Sequence, residues 1–511
     1  MHKNGLILEV DESPKKISQW LVLAIQHVLA MFVACITVPL LVFNGFVNVE
    51  GASLANTLIA PTIVSAGIGT IIYIILTKMK SPVFLASSFA YISPMIAAIS
   101  IGSVEAYTKE GELVGQLANM WALPIGMAFV GLLYVVVALL IKFFGVNWLN
   151  KLLPPIVIGP VIMVIGLGLS ASAISNLTTA SGSHDSYNLV AILCGVIAMT
   201  VTALCSHYGK KTVALIPFVI GMLSGYVAAA LFTIFGYHLG RVDYFHIIDF
   251  SPLINNFSHI TFESFLSFPD FVFMPVNYNA KDLVDASGNA IKIFNASQIG
   301  TIALLFIPVA LVTICEHIGD HKNLSGILQR DLLEEPGLTR TLMGDGIATA
   351  VSGLFCGAAN TTYGENVAVV GVTKIASVKV ILLACAIAIC LGFITPLMTL
   401  TMTIPACVTG GVSLLLYGFI ASSGVKMMIN EKIDFSKSKN IFIASVILVS
   451  GIGGLALKFG DVSSPVITIT STAVAMIFGI LMNLILKDKK EEVPAVEAAS
   501  EEAPAVEEEQ K

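Results

Sequence analysis

Apolar runs of bilayer length recur almost without a break from Trp20 to Leu486, and no stretch between them is polar enough to separate soluble folding units. An α-helix rises about 1.5 Å per residue, so about 20 apolar residues are needed to cross the hydrocarbon core. Such runs lie near residues 19–43, 52–77, 82–101, 118–144, 152–172, 188–207, 212–234, 298–321, 340–356, 364–374, 376–395, 405–428, 439–457 and 465–486, the tenth being too short to cross alone. Only 12% of the residues are charged and 56% are hydrophobic, whereas soluble domains are roughly a quarter charged. The expected fold class is therefore an all-α polytopic membrane protein with about fourteen transmembrane segments, a secondary transporter and not an enzyme. Lysines precede the first run, but that run reaches bilayer length and lacks a small-residue cleavage site. It is expected to be a span and not a cleaved signal peptide.

Charge placement tests the count independently. If the chain starts inside and changes side after every span, 22 of its 27 lysines and arginines fall on the cytoplasmic side, as the positive-inside rule requires. Both termini are then cytoplasmic, and the expected location is the inner membrane. Residues 487–511 hold nine acids and four lysines. Such a Glu/Ala/Pro-rich tail cannot bury a core and reads as disordered. The eight cysteines lie in or beside apolar runs without metal-type spacing, so neither a disulfide framework nor a metal is inferred. Neither a cofactor nor nucleic acid is expected as a partner.

The long segment 235–297, read as a partly structured extracytoplasmic cap, divides the runs seven and seven. An odd number per half implies halves of inverted orientation, a common transporter plan. One local echo accompanies it. The third run opens with Ser81-Pro82-Val83-Phe84-Leu85-Ala86-Ser87-Ser88-Phe89, and the tenth with Ala358-Ala359-Asn360-Thr361-Thr362-Tyr363-Gly364-Glu365. Each is an extended-looking, hydroxyl-rich stretch with an aromatic residue leading into a helix. Interrupted segments at matching positions of two halves point to a midplane site. Because lipid offers no hydrogen bonds to irregular backbone, the two stretches are expected to pair with one another.

Acids at membrane depth cost at least about 2.5–3.5 kcal/mol each on insertion scales, yet Glu316, Asp320 and Glu365 cluster near these segments. Glu316 and Asp320 are four residues apart, hence on one helical face. The plain alternative for them is a helix end emerging into the cytoplasm beside Lys322. For Glu365 it is a capping box, Thr362-x-x-Glu365. His317 and His321 read as interfacial histidines, and Gln26 and His27 as hydrogen-bonding groups between helices. Phe89 alone would suggest packing. Two acids facing one cavity repel an anion and favour a solute with polarised N–H groups. Residue chemistry alone therefore points to a neutral polar solute or a cation. Glu365, at a helix start, is expected to stay ionised. Glu316, inside a helix with Asp320 one turn away, is expected to carry a coupling proton with Asp320 as its partner.

The runs Ile314-Cys315-Glu316-His317-Ile318-Gly319, Asn360 to Asn366, Ser87-Ser88-Phe89-Ala90 and Gly410 to Gly418 together resemble the bacterial uracil permeases of the nucleobase–cation symporter family, which includes uracil/xanthine permeases and nucleobase–ascorbate transporters. The likeness covers roughly residues 17–486 apart from the insertion 235–297. It implies a 7+7 inverted repeat with short antiparallel strands in spans 3 and 10, a homodimer, and proton-coupled uracil import. The implied division has a cytoplasmic segment 1–18, a core domain 19–144 and 298–395 (spans 1–4 and 8–11), a gate domain 145–234 and 396–486 (spans 5–7 and 12–14), the insertion 235–297 and the tail 487–511. Matched by motif, Glu316 and Glu365 hydrogen-bond the base, Phe89 and Gly364 offer backbone donors, Ala34 and Tyr363 pack on the ring, and Tyr417 is a gate-side tyrosine. Uracil permeases of this kind carry histidine where this chain has Asp320, and purine-type relatives often have aspartate there. Purine transporters, however, tend to carry a neutral residue where Glu365 stands, nearer the ring. Uracil is the expected substrate, with xanthine or another purine base as the alternative. An anion carrier on the same general architecture is the remoter rival.

Overall fold

The computed structural model describes residues 5–179, 187–269, 271, 283–291, 295–460 and 465–486. The acidic tail and parts of the insertion 235–297 lie outside the described residues. Among those described, eight helices are long and apolar enough to cross a membrane: Ile17–Val42, Leu54–Leu76, Ala122–Phe144, Pro155–Thr178, Leu189–Tyr208, Pro217–Leu239, Ala296–Leu328 and Ala406–Asn430. Shorter apolar helices follow at Phe89–Ser100, Val378–Leu391, Ser438–Ile452 and Ser471–Ile485, with Leu338–Leu354 and the ten-residue Gly364–Thr373 beside the site. The chain is thus a predominantly helical, multi-pass membrane protein. Each apolar run contains a helix, but several runs are divided between a helix and extended backbone.

The most informative division is in the third and tenth runs. Leu85–Ser87 and Asn360–Thr362 form short strands that pair antiparallel, with Leu85 opposite Thr362, Ala86 opposite Thr361 and Ser87 opposite Asn360. The ladder extends one bond at each end, from the Ser88 N–H to the Ala359 carbonyl (2.7 Å) and from the Tyr363 N–H to the Phe84 carbonyl (3.2 Å). All six strand residues are buried. Irregular backbone at such depth survives only if its polar groups are satisfied by protein, and neighbouring helices complete the set. The Thr70 hydroxyl accepts from the Leu85 N–H and approaches the Leu85 carbonyl, while the Thr349 and Ser352 hydroxyls donate to the carbonyls of Asn360 and Ala358.

Helices close around this crossing through small residues, as expected where van der Waals packing, not water exclusion, drives association. A Cβ on Gly69 would lie 2.5 Å from Asn360 Nδ2, and one on Gly411 would lie 2.1 Å from the Gly195 carbonyl oxygen. Helix Leu338–Leu354 packs on Ala122–Phe144 and Ile59–Leu76, while Ala406–Asn430 packs on Pro155–Gly168 and Leu189–Tyr208.

Strands also occur where none was anticipated. Phe46–Val47, Leu113–Leu117, Val104–Thr108 and Leu283–Val284 make a four-stranded sheet in that spatial order, and Leu457–Gly460 pairs with Pro465–Ile469. The all-α expectation is corrected to that extent. These strands are two to five residues long and lie mostly in the connections between apolar runs, too short for a period-two pattern to stand out.

Candidate functional site

The thirty-residue helix Ile299–Leu328 carries most of the ionisable groups. Glu316 and Asp320 are half-buried on one face. One residue further round, His317 and His321 point into protein and are fully buried, which overturns their reading as interfacial histidines. His317 Nδ1 lies 2.8 Å from Asp345 Oδ2. His321 Nδ1 donates to the His317 carbonyl (2.8 Å), and its Nε2 accepts from the Tyr73 hydroxyl (2.6 Å), which in turn pairs with the Ser81 hydroxyl (2.7 Å).

Across the crossing, Tyr363 is the N-cap residue of helix Gly364–Thr373, and Glu365 sits in its first turn. The Thr362 hydroxyl does not cap this helix. It donates to Asp320 Oδ2 at 2.6 Å, so the capping box is replaced by a bond between strand and neighbouring helix. Asp320 is accordingly no freely solvated residue at a helix mouth. Its other oxygen would lie 3.6 Å from a Cβ on Gly364, which is itself exposed. As the first residue of its helix, Gly364 has an N–H with no intrahelical acceptor. Tyr363 is buried, and its hydroxyl donates to the Ser87 carbonyl (3.0 Å), bridging the two strands. Asn366 Nδ2 meets both the His27 carbonyl (3.0 Å) and His27 Nδ1 (3.2 Å), which places the His27 side chain in the interhelical role expected for it.

Phe89 begins the single 3₁₀ turn after the first strand. Its ring meets that of Tyr417 edge-on at 5.8 Å, although 328 positions separate them. Ala34 is buried on helix Ile17–Val42, which packs on both the first strand and helix Gly364–Thr373. Glu316 lies one turn before Asp320 on the helix Ile299–Leu328, which packs against the second strand and helix Gly364–Thr373. Phe89, Tyr363, Gly364 and Glu365 thus closely follow the crossing strands, Asp320 is bonded to one of them, and Tyr417 reaches the crossing through Phe89.

Chemically, the elements around the crossing carry carboxylates and helix-start N–H groups, while the buried polar side chains among the described residues include no lysine or arginine. Carboxylates can accept hydrogen bonds from N–H donors, and free backbone N–H groups can donate to carbonyl oxygens. No buried lysine or arginine is present among the described residues to balance an anion. Among the described residues no group of three or more His, Cys, Asp or Glu is arranged to hold a metal ion.

Residues 18–459 match the Permease family. The chain belongs to this family. It is a membrane transporter and not an enzyme. It is 38% identical to a uracil permease of Bacillus caldolyticus, over 94% of this chain and 95% of that protein. It is 36% identical to one of Bacillus subtilis (strain 168), over 96% and 98%, and 32% identical to one of Escherichia coli (strain K12), over 94% and 93%. Among solved structures it is similar to the murine Solute Carrier 26 family member A9 anion transporter in its inward-facing state, with a TM-score of 0.62, 10% identity and coverage of 93% of this chain and 69% of that one. At that identity the likeness concerns the fold alone.

Asp345 escaped the sequence reading. It stands in the apolar ninth run between Gly344 and Gly346, and an acid flanked by glycines inside a span was the available signal. The glycines explain how it is enclosed. A Cβ on Gly344 would lie 2.9 Å from the Tyr73 ring, and one on Gly346 would lie 2.4 Å from Tyr134 Cβ. Both tyrosines close over the acid from neighbouring helices.

Proposed function

We propose that the chain imports uracil by proton symport through alternating access. The observation that carries this reading is the pair of half-buried glutamates at the strand crossing, Glu316 on a helix packed against it and Glu365 in the first turn of the helix that leaves it, beside two helix starts whose first N–H groups have no intrahelical acceptor. Uracil offers ring N–H donors next to carbonyl acceptors. Glu316 and Glu365 accept from the base, the backbone N–H groups of Phe89 and Gly364 donate to its carbonyls, and Tyr363 and Ala34 pack on the ring. Tyr417, in edge contact with Phe89, meets the substrate from the gate side. The three relatives named as uracil permeases support the same substrate class.

Glu316, inside a helix and one turn from Asp320, binds the coupling proton from the outer side. Glu365, at a helix start where free N–H groups stabilise a carboxylate, remains the fixed acceptor. Uracil and a proton then leave together on the cytoplasmic side. The architecture proposed for this cycle is a 7+7 inverted repeat of fourteen spans. The core is 19–144 with 298–395, and the gate is 145–234 with 396–486. Packing of Leu338–Leu354 on Ala122–Phe144, and of Ala406–Asn430 on Pro155–Gly168, supports the division. The protein is proposed to be a homodimer through its gate helices, in the inner membrane with both termini cytoplasmic.

Radiolabelled uracil uptake by cells expressing the protein tests this reading. Uptake should collapse on adding a protonophore and resist excess unlabelled xanthine. Uptake indifferent to the protonophore removes proton coupling, and full competition by xanthine moves the substrate to the purines, the direction in which Asp320 points.

A further inference from the structure

Behind the face that carries Glu316 and Asp320 lies a second ionisable cluster that substrate binding does not use. Asp345 and His317 are both 0% exposed and joined at 2.8 Å. Their remaining polar atoms, Asp345 Oδ1 and His317 Nε2, are buried without any hydrogen-bond partner. Unpartnered buried polar atoms are uncommon and call for an explanation. The titratable groups facing the pair are His321, Tyr73, Tyr91, Tyr134, Glu316 and Asp320. None is a lysine or arginine.

The histidine and tyrosine neighbours have settled partners. His321 uses both ring nitrogens, and the Tyr73 hydroxyl is shared between His321 and Ser81. The Tyr91 and Tyr134 hydroxyls are both bonded to Thr313. Among the fully buried groups of this cluster, the unpartnered acceptor positions are on Asp345 and His317 themselves.

We infer that the Asp345–His317 pair is a second proton-binding site of the transporter, loaded and unloaded during the cycle. When unloaded, the Asp345 carboxylate accepts from His317 Nδ1–H and the pair carries one negative charge. An arriving proton forms a single new bond, at His317 Nε2 or Asp345 Oδ1, and leaves the pair neutral. Discharge breaks that bond and returns the proton to water, with no electron transfer. The change is felt at the substrate site through one turn of helix. Thr349, four residues after Asp345, donates to the Asp345 and Asn360 carbonyls. Asn360 opens the strand whose Thr362 holds Asp320 and which leads into Gly364 and Glu365. Asp345 and His317 thus act on proton coupling and not on contact with the base.

The inference rests on the proposed uracil symport, and purified full-length protein in proteoliposomes separates the two. Asp345→Asn should reduce uracil accumulation driven by an imposed proton gradient at least tenfold. Uracil–uracil exchange and equilibrium uracil binding should stay within threefold of wild type. His317→Gln should show the same split. Wild-type protein that neither binds nor exchanges uracil overturns the functional reading and this inference together. Wild type that exchanges uracil while Asp345→Asn accumulates it normally overturns this inference alone. Loss of exchange and accumulation together in a well-folded Asp345→Asn protein also overturns it, because the pair is then structural. If Asp345→Asn does not fold, Asp345→Glu should shift the pH optimum of accumulation, and an unmoved optimum counts against the pair.

Discussion

Replacing Glu365 by glutamine keeps the shape of the side chain and removes its charge at the start of helix Gly364–Thr373. Two terms set the effect on uracil binding. A hydrogen bond to a charged acceptor contributes about 1.5–3 kcal/mol, and a neutral one about 0.5–1.5 kcal/mol. If the new amide turns its carbonyl to the base, about 1 kcal/mol is lost. If it presents its NH₂ group instead, the whole charge-assisted bond goes, about 3 kcal/mol at most. The dissociation constant should therefore rise roughly 5- to 150-fold. Folding should suffer less, because loss of a carboxylate from a helix N-terminus costs about 0.3–1 kcal/mol. Calorimetric titration of the purified variant with uracil at neutral pH, beside a thermal melt in the same detergent, measures both quantities. Affinity within a factor of two of wild type, in a protein that melts normally, would refute contact between Glu365 and the base.

Other consequences follow from particular contacts. Thr362→Val deprives half-buried Asp320 of its donor and should cost about 1–3 kcal/mol of stability, whereas Thr362→Ser should restore most of the melting temperature. Gly411→Ala would push a Cβ to 2.1 Å from the Gly195 carbonyl oxygen. Overpacking of that kind costs about 1–3 kcal/mol or more, and a melting temperature equal to wild type would show that the two helices are not held so close. On the short π-helical turn Leu333–Gly337 before helix Leu338–Leu354, the hydrogen bond from Lys80, followed by the charge of Arg330, holds the Glu335 carboxyl below its ordinary value of 4.5. A depressed carboxyl stabilises the fold above its unfolded value and loses that contribution as pH falls through the folded one. The stability gap between wild type and Glu335→Gln should thus be constant at neutral pH and shrink below about pH 4.5; a gap independent of pH would count against these ion pairs.

Much of this molecule was legible in one dimension. Apolar runs longer than about 20 residues, with few charges, leave a chain little choice but to form helices in lipid. The hydroxyl-rich stretches around Ser87 and Asn360 announced backbone that must find partners at depth, and the two strands pair there. Glu316, Asp320 and Glu365 stood out because acids in such surroundings are rare. What remained hidden depends on which helix faces which. Apolar periodicity is a local property and looks alike whether a face meets lipid or protein. It could not reveal that His317 and His321 turn inward, or that Asp345, 28 positions away, meets His317. Nor could it show that the Thr362 hydroxyl would prefer Asp320 on a neighbouring helix to the start of its own. Each of these hydrogen bonds joins groups brought together by the rotation of one helix against another, and that rotation is decided by close packing at glycines such as Gly69, Gly344 and Gly346, which only the assembled fold displays.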